Sequence, residues 1–531
     1  MKFFNTAGPV NRENHYKIDP LSRWDMEELL SLIEQEKYFI LHAPRQTGKT
    51  SCMLALRDYL NREGKYHCVY ANIEAAQMAR NDVKTGISSI LFEVNSRVKS
   101  TLGAEAAIKV DEFTFGNMSA LNGYLSELSA SLDKPLILFL DEIDALIGDT
   151  LVSVLRQLRA GYDKRPSEFP QSVILCGVRD VKDYRIHRSD GEIVTGGSCF
   201  NIKSKSLTLG NFSEQEVYAL YMEHTKETGQ IFDAECFPLI MRYTGGQPWL
   251  VNALAYEVTF EMKENRDPSV VIIPEMIEAA KERLILSRAT HLDQLADKLK
   301  EERVRRVVEP MLTGGTAEPL NDDSVYCMDL GLIKKVAGKY VITNEIYMEV
   351  IPRELTQVRQ DRFGAYFNPE WVNADGSLNT DKLFTMFQDF WRENSEIWKQ
   401  DIAGYKEAAP HLTFQAFLQR VANGNGYIGR EYAYGTRRAD LVLKWKYAPG
   451  GGTGPTIEQR IVIELKMITE RDTYEAVKTA ALEQTAAYSV RCDATESHIV
   501  VFDRCGKTDW KERVFVDSGE FDGVSMTIWG M

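Results

Sequence analysis

The sequence predicts an α/β protein made of two separate sheets with a helical stretch between them. Three observations predict it. The apolar runs YFILHA (38–43), HCVYANI (67–73), PLILFLD (135–141) and SVILCGV (172–178) alternate with helical segments, the pattern of a parallel sheet covered by helices on both faces. From Ser213 to about Arg288 the periodicity is helical. Strand-like runs return after Pro410, in LVLKW, IVIELK and HIVVFD, so a second α/β domain follows.

Five regions are expected in order. Residues 1–210 form a nucleotide-binding core, and 211–290 a helical lid that opens on Ser213 as N-cap with an acidic first turn. Residues 291–355 place helices before the hairpin signal GLIKKVAGKYVIT, the order of a winged helix. Residues 356–409 are a helical linker rich in aromatics. Residues 410–531 run helix HLTFQAFLQRVAN, two strands, the Gly-rich turn APGGGTGP, IVIELK, a long helix and HIVVFD.

At 531 residues with 44% hydrophobic and 26% charged side chains, the chain has room for several ordinary cores. A net charge of -14 excludes a protein that coats nucleic acid through bulk charge. A local basic cleft stays open, with KLKEERVRRVV (298–308) and the pair Arg437 and Arg438 as candidates; the alternative is a solvated helix face and a capping pair. The eight cysteines form no CxxC pair, which argues against zinc and against a disulfide framework. No apolar run reaches a membrane span of roughly 18 residues, and MKFFNTAGPVNREN lacks a signal peptide's apolar centre. A cytoplasmic protein is expected.

The first chemical site follows YFILHA. APRQTGKTS (43–51) matches the phosphate-binding pattern GxxxxGK[ST] except that Ala43 replaces the first glycine. Gly48 lets backbone N–H groups approach phosphate, Lys49 meets the β and γ phosphates of ATP, and Thr50 holds Mg²⁺. Ser51 completes the set of nucleotide contacts. In PLILFLDEID, Asp141 ends an apolar strand where it can reach the same Mg²⁺, and Glu142 can orient or deprotonate the attacking water. CGVRD puts Arg179 after the next strand, facing the γ-phosphate or plain solvent; Arg159 and Arg185 are weaker candidates.

These motifs, with TGGQPWLVN in the helical region, resemble the AAA-like ATPases of the STAND and archaeal-ATPase branch over about residues 10–355. The resemblance implies that the GGxP turn, here Gly245, Gly246 and Pro248, approaches the nucleotide from the lid and senses its state. Read from the residues, TGGQP is equally a helix-ending turn. The resemblance also implies that NHYKIDPL leads into the ATP site, with His15 and Tyr16 near the base.

The second site surrounds IVIELK (461–466), an apolar strand that ends in two opposite charges on the same side of the sheet. A hairpin through the Gly-rich turn brings Asp440 of REYAYGTRRADLVLKW near Glu464 and Lys466. Two acids and a lysine at adjacent strand ends can hold Mg²⁺ or Mn²⁺ at Asp440 and Glu464 while the ammonium assists a nucleophile. The pattern is similar to the PD-(D/E)xK restriction-endonuclease-like superfamily, and LEQTAAY, with Gln484 and Tyr488 one turn apart, resembles its QxxxY element. That resemblance implies catalytic roles for Asp440, Glu464, Lys466 and Gln484. The first helix lacks the acid many members carry, so the metal rests on fewer ligands or borrows Glu431.

The whole chain resembles bacterial fusions of an AAA-like ATPase to a nuclease-like domain. The expectation is an ATP-controlled nuclease acting on nucleic acid, DNA first, with anti-phage defence as the implied role and a second copy or a protein activator as partner. The alternative is an ATPase switch whose C-terminal domain only binds nucleic acid or protein. A DNA-repair motor is disfavoured because no helicase motif set accompanies the phosphate loop.

Overall fold

Alternate residues of β1 (Tyr38–His42) bury in opposite directions, and this builds the first half of the protein. Tyr38 and Ile40 enter one core, with Val69, Leu138 and Leu175, beneath the helices Val83–Leu102, Ala120–Ser131 and Gly148–Ala160. Phe39 and Leu41 enter the other, with Leu56, Tyr70 and Phe139, beneath Met26–Glu34 and Lys49–Glu63. A strand buried on both faces must be apolar at every position, which is why YFILHA shows no alternation. The remaining strands are β2 (His67–Asn72), β3 (Leu136–Asp141), β4 (Ser172–Gly177), a short pair β5 (Arg185–His187) and β6 (Ile193–Thr195), and β7 (Lys203–Thr208). The five-stranded sheet has the order β2-β3-β4-β1-β7 and is parallel throughout.

The computed structural model describes the chain except residues 1, 12, 111–118, 181–184, 188–192, 196–199, 288–289, 313–321, 352–370, 394–409, 411–412, 416, 419–425, 430–440, 450–455, 469–471 and 504–509. One unit comprises Met1–His291, Val325–Lys334 and Thr343–Glu345; the other comprises Leu292–Ser324, Lys335–Ile342 and Ile346–Met531. Among the described residues no helix is long and apolar enough to cross a membrane.

The helical region of the first unit begins at Glu214–Thr228, where Ser213 and Glu216 cap each other reciprocally. Cys236–Thr244 ends on left-handed Gly245, and Pro248–Tyr256 starts with proline in its first turn and Gln247 as N-cap. The stretch read as a winged helix contains the helices Thr290–Leu299, Glu302–Leu312 and Asp322–Asp329, then the hairpin of β8 (Ile333–Val336) and β9 (Lys339–Ile342).

The second unit holds β10 (Gly426–Gly429), β11 (Leu441–Tyr447), β12 (Ile457–Ile468), β13 (Glu496–Asp503), β14 (Val516–Phe521) and β15 (Val524–Gly530) in one mixed sheet of order β10-β11-β12-β13-β15-β14. The first three strands run antiparallel, and β12 then pairs β13 in parallel, with Tyr474–Arg491 as the intervening helix. One face is covered by that helix through Ala481, Ala486 and Tyr488. The other carries an aromatic core in which Phe384 stacks on Phe414 and Trp529. Phe384, Phe387 and Phe390 come from Thr380–Glu393, the one described helix of the stretch expected as a linker.

Candidate functional site

The phosphate loop lies between β1 and the helix Lys49–Glu63. Its left-handed residues are Gln46 (φ 58°) and Gly48 (φ 88°), and Ala43 is not among them. This is the reason the missing first glycine is tolerated: position 43 needs no positive φ, and its methyl packs with Cys52 and Leu209. Lys49 is buried and donates to the carbonyl oxygens of Ala43 (2.9 Å) and Pro44 (3.0 Å). The loop thus presents an ammonium and a helix N-terminus at one place, the two features that recognise phosphate.

Thr50 Oγ1 donates to Asp141 Oδ2 at 3.0 Å, so the residues expected to share Mg²⁺ are in direct contact. Both offer hard oxygen ligands, which suits that cation. Asp141 is fully buried at the end of β3 and accepts two further bonds, from Tyr70 Oη (2.7 Å) to Oδ2 and from Glu142 N (2.9 Å) to Oδ1. Glu142 holds a left-handed backbone (φ 60°), an uncommon conformation for a non-glycine residue. Its carboxyl is pushed up to about 6, by burial first and then by the charges of Asp144 and Asp141, against the pull of Lys49 and Arg45. A carboxylate tuned toward neutrality is a better proton acceptor than an ordinary one.

Three segments close around the loop. The first is N-terminal: Val10 N donates to Ser51 Oγ (2.9 Å), and Trp249 Nε1 donates to Thr6 O (2.8 Å). Tyr16 reaches His224 through its hydroxyl (3.2 Å) and packs against Phe4, while His15 accepts from Asn11 N (2.9 Å). The second is the GGxP turn. Phe212 N donates to Gly246 O (2.7 Å), and Gln247 Nε2 lies 3.5 and 3.4 Å from the carbonyls of Arg45 and Gln46. Pro248 itself is buried at the start of its helix, so it is Gln247 that meets the loop. The third is Val325–Lys334: Gly331 approaches Pro44 so closely that a Cβ there would lie 2.8 Å from Pro44 Cγ. Arg179 pairs with Asp329 from this segment at 3.4 Å and lies over the Tyr326 ring.

Sequence reasoning missed Arg23, Tyr70, Gln247 and Asp329. Arg23 donates 2.5 Å bonds to Thr47 O and Gly210 O and lies 4.7 Å from the Phe212 ring centre, joining the loop to the start of the helical region. Burial holds its guanidinium below the usual arginine range. Arg159 is exposed, and the side chain of Arg185 lies outside the described residues. An open cleft of about 320 Å³, lined by Lys17, Asp19, Ser213, Glu216 and Lys226 among others, has no phosphate-loop residue in its wall.

In the second unit, Lys466 Nζ donates to Glu464 Oε1 (2.7 Å) and to Gln484 Oε1 (2.5 Å), so three of the expected site residues meet. Glu464 is buried, and Tyr488 sits in the core beside Val442 and Val462. Asp440 lies outside the described residues, as do Glu431, Arg437 and Arg438. Its chain neighbour Leu441 pairs with Ile463, the residue before Glu464. Among the described residues no group of three or more His, Cys, Asp or Glu could hold a metal, so Glu464 alone does not make a cation site. The basic stretch 298–308 is laced with ion pairs: Lys298 with Glu301, Lys300 with Asp297, and Arg303 and Arg306 with Asp323.

Among solved structures, the chain is similar to the Walker-type ATPase PABY2304 of Pyrococcus abyssi, at 14% identity over 66% of this chain and 99% of that one, with a TM-score of 0.44. It is also similar to Cdc6p from Pyrobaculum aerophilum (16% identity, 66% and 97% covered, TM-score 0.35). A third is the RuvB Holliday junction branch migration motor of Thermotoga maritima (13%, 64% and 97%, TM-score 0.33). No curated protein matches. The family described as AAA-like domain matches residues 21–351, the stretch that carries the phosphate loop, Asp141, Glu142 and the GGxP turn, and the chain belongs to that family.

Proposed function

We propose that the protein is an ATP-hydrolysing switch that controls a metal-dependent nuclease in its second unit. In the first unit Lys49 and the loop N–H groups bind the β and γ phosphates, and Thr50 and Asp141 hold Mg²⁺, which neutralises charge on the phosphates when bound. Glu142 takes the proton of the attacking water. Arg179, after β4, and Gln247, in the GGxP turn, read the nucleotide, since each reaches the site from a different segment. Entry of a γ-phosphate near Arg179 competes with Asp329 for the guanidinium, and loss of that pair loosens Val325–Lys334.

The nuclease half rests on one observation, the bridging of Glu464 and Gln484 by Lys466. A lone surface ion pair needs no third partner, whereas a lysine fixed by two acceptors is held ready for a scissile phosphate. Asp440 and Glu464 are the ligands assigned to Mg²⁺ or Mn²⁺, which would polarise that phosphate. The strand order supports the reading, because β10, β11 and β12 followed by a helix and parallel β13 is the order the resemblance calls for. Nucleic acid, DNA first, is the assigned substrate, and a second copy or a protein activator supplies the trigger; phage defence suits a nuclease kept silent until called. The second reading, a unit that only binds, is favoured by HLTFQAFLQRV, which has no acidic residue to add to the ligand set.

The test uses the full chain with Mg²⁺ or Mn²⁺, with and without ATP, on single- and double-stranded DNA and on RNA. Cleavage should be lost in Asp440→Ala, Glu464→Ala and Lys466→Ala and altered in Lys49→Ala, while Glu464→Ala keeps its ATP turnover. Intact turnover without cleavage of any substrate leaves the binding-only reading standing.

A further inference from the structure

Asp141 is a fully buried carboxylate, and the donors that hold it differ in kind. Glu142 N is its own neighbour's backbone, and Thr50 Oγ1 belongs to the residue assigned to the cation itself. Tyr70 Oη, at 2.7 Å, comes from another strand, and nothing in the assigned chemistry asks it to leave. We propose that Tyr70 is a positioning residue for the metal-binding carboxylate, fixing Asp141 in the orientation that meets the cation held by Thr50; the inference rests on the ATP-site reading above.

The sheet explains how a tyrosine on β2 can do this. Tyr70 pairs with Phe139 and Asn72 with Asp141, in parallel register. Residues 139 and 141 point to the same side of β3, and Tyr70 joins Phe139 in the same core. The phenol therefore leans along that face toward the strand end, and its hydroxyl reaches the carboxylate two residue pairs farther on. With the ring clamped in the core and two χ angles to set, the hydroxyl has little freedom. A donor so rigid fixes the rotation of the carboxylate about its terminal bond. Thr50 cannot do this alone, because its oxygen has to serve the cation as well as the aspartate.

The partners of metal ligands tune metal affinity by orienting the ligands, and their removal typically costs about 10- to 100-fold. Tyr70→Phe keeps the ring in the core and deletes the hydroxyl. The experiment follows binding of a fluorescent, non-hydrolysable ATP analogue to the full chain as Mg²⁺ is titrated, without turnover. Relative to wild type, Tyr70→Phe should need about 10- to 100-fold more Mg²⁺ for half-maximal enhancement, with unchanged metal-free affinity and a far-UV spectrum like the wild type's. An unchanged Mg²⁺ requirement overturns the inference, and so does an equal loss of metal-free and metal-loaded binding, which marks a structural role. A wild type that binds the analogue without responding to Mg²⁺ overturns the ATP-site reading itself, and this inference with it. Tyr70→Leu, which removes ring and hydroxyl together, should lose thermal stability as well; a Mg²⁺ defect in Leu but not in Phe would assign the effect to packing.

Discussion

With Glu142 as the proposed base, the pH dependence of the ATP site should follow its carboxyl. Its carboxyl titrates near 6 in the folded chain because it is buried beside Asp144 and Asp141, and a general base works only when ionised. Turnover should therefore climb as pH rises through about 6 and fall away below it. The stability effect has the opposite sign. Between the ordinary value of 4.5 and about 6 the folded chain binds a proton that the unfolded chain has released, so this group's contribution to stability declines as pH rises across that window. Glu142→Gln should retain nucleotide binding and lose roughly 10²- to 10⁴-fold in turnover, and its residual rate should lack the limb near pH 6. A pH–rate profile of both proteins decides the point; an identical acid limb in the variant would place the titrating group elsewhere.

At the scale of elements, the GGxP turn is a joint whose tolerance can be measured. Gly246 has φ +70°, and a Cβ there would lie 2.0 Å from Phe212 O. Gly229, the C-cap of Glu214–Thr228, has φ +82° and nothing within 4 Å. Substituting alanine at Gly229 should cost about 1 kcal/mol for left-handed backbone alone. At Gly246 the same cost is joined by a clash with backbone that has no room to turn away, so the loss should be larger. Nucleotide affinity should fall in Gly246→Ala and hold in Gly229→Ala, because Gln247 hangs from the first turn. Thermal unfolding and nucleotide titration of the two variants test this, and equal affinities would remove the GGxP turn from the site.

These elements also mark what the sequence could reveal. Ser213 as N-cap, the strand YFILHA, Gly48 in the phosphate loop and the hairpin after Gly331 were readable because each is a local pattern of spacing and residue type. Thr50 and Asp141 were paired through motif chemistry rather than geometry. Tyr70, Arg23 and Asp329 were not readable, because their partners lie 71, 24 and 150 residues away. Periodicity reports which face a residue uses and is silent on which strand lies opposite. Alternation along β12 put Lys466 and Glu464 on one side of the sheet, and the bond of Lys466 to Gln484 follows from where the helix Tyr474–Arg491 lies on the sheet.

For the whole molecule, separate cores predict separate unfolding. The parallel sheet of the first unit and the mixed sheet of the second bury different side chains, so the chain should depart from two-state behaviour. Nucleotide with Mg²⁺ at a hundred times its Kd stabilises the state that binds it by about 2.7 kcal/mol. Calorimetry should show two transitions, with the nucleotide raising the one that belongs to the phosphate loop; a single transition moved as a whole would mean that the halves melt together. Lys49 bears on what the loop accepts. Two of its three ammonium protons are already given to Ala43 and Pro44, so an incoming anion competes with carbonyl oxygens and not with bulk water. An anion that offers few oxygens gains little by that exchange, whereas a polyphosphate can replace both carbonyls and engage the helix N-terminus at once. The loop should in this way discriminate against sulfate and inorganic phosphate, with a selectivity that comes from what the lysine already holds.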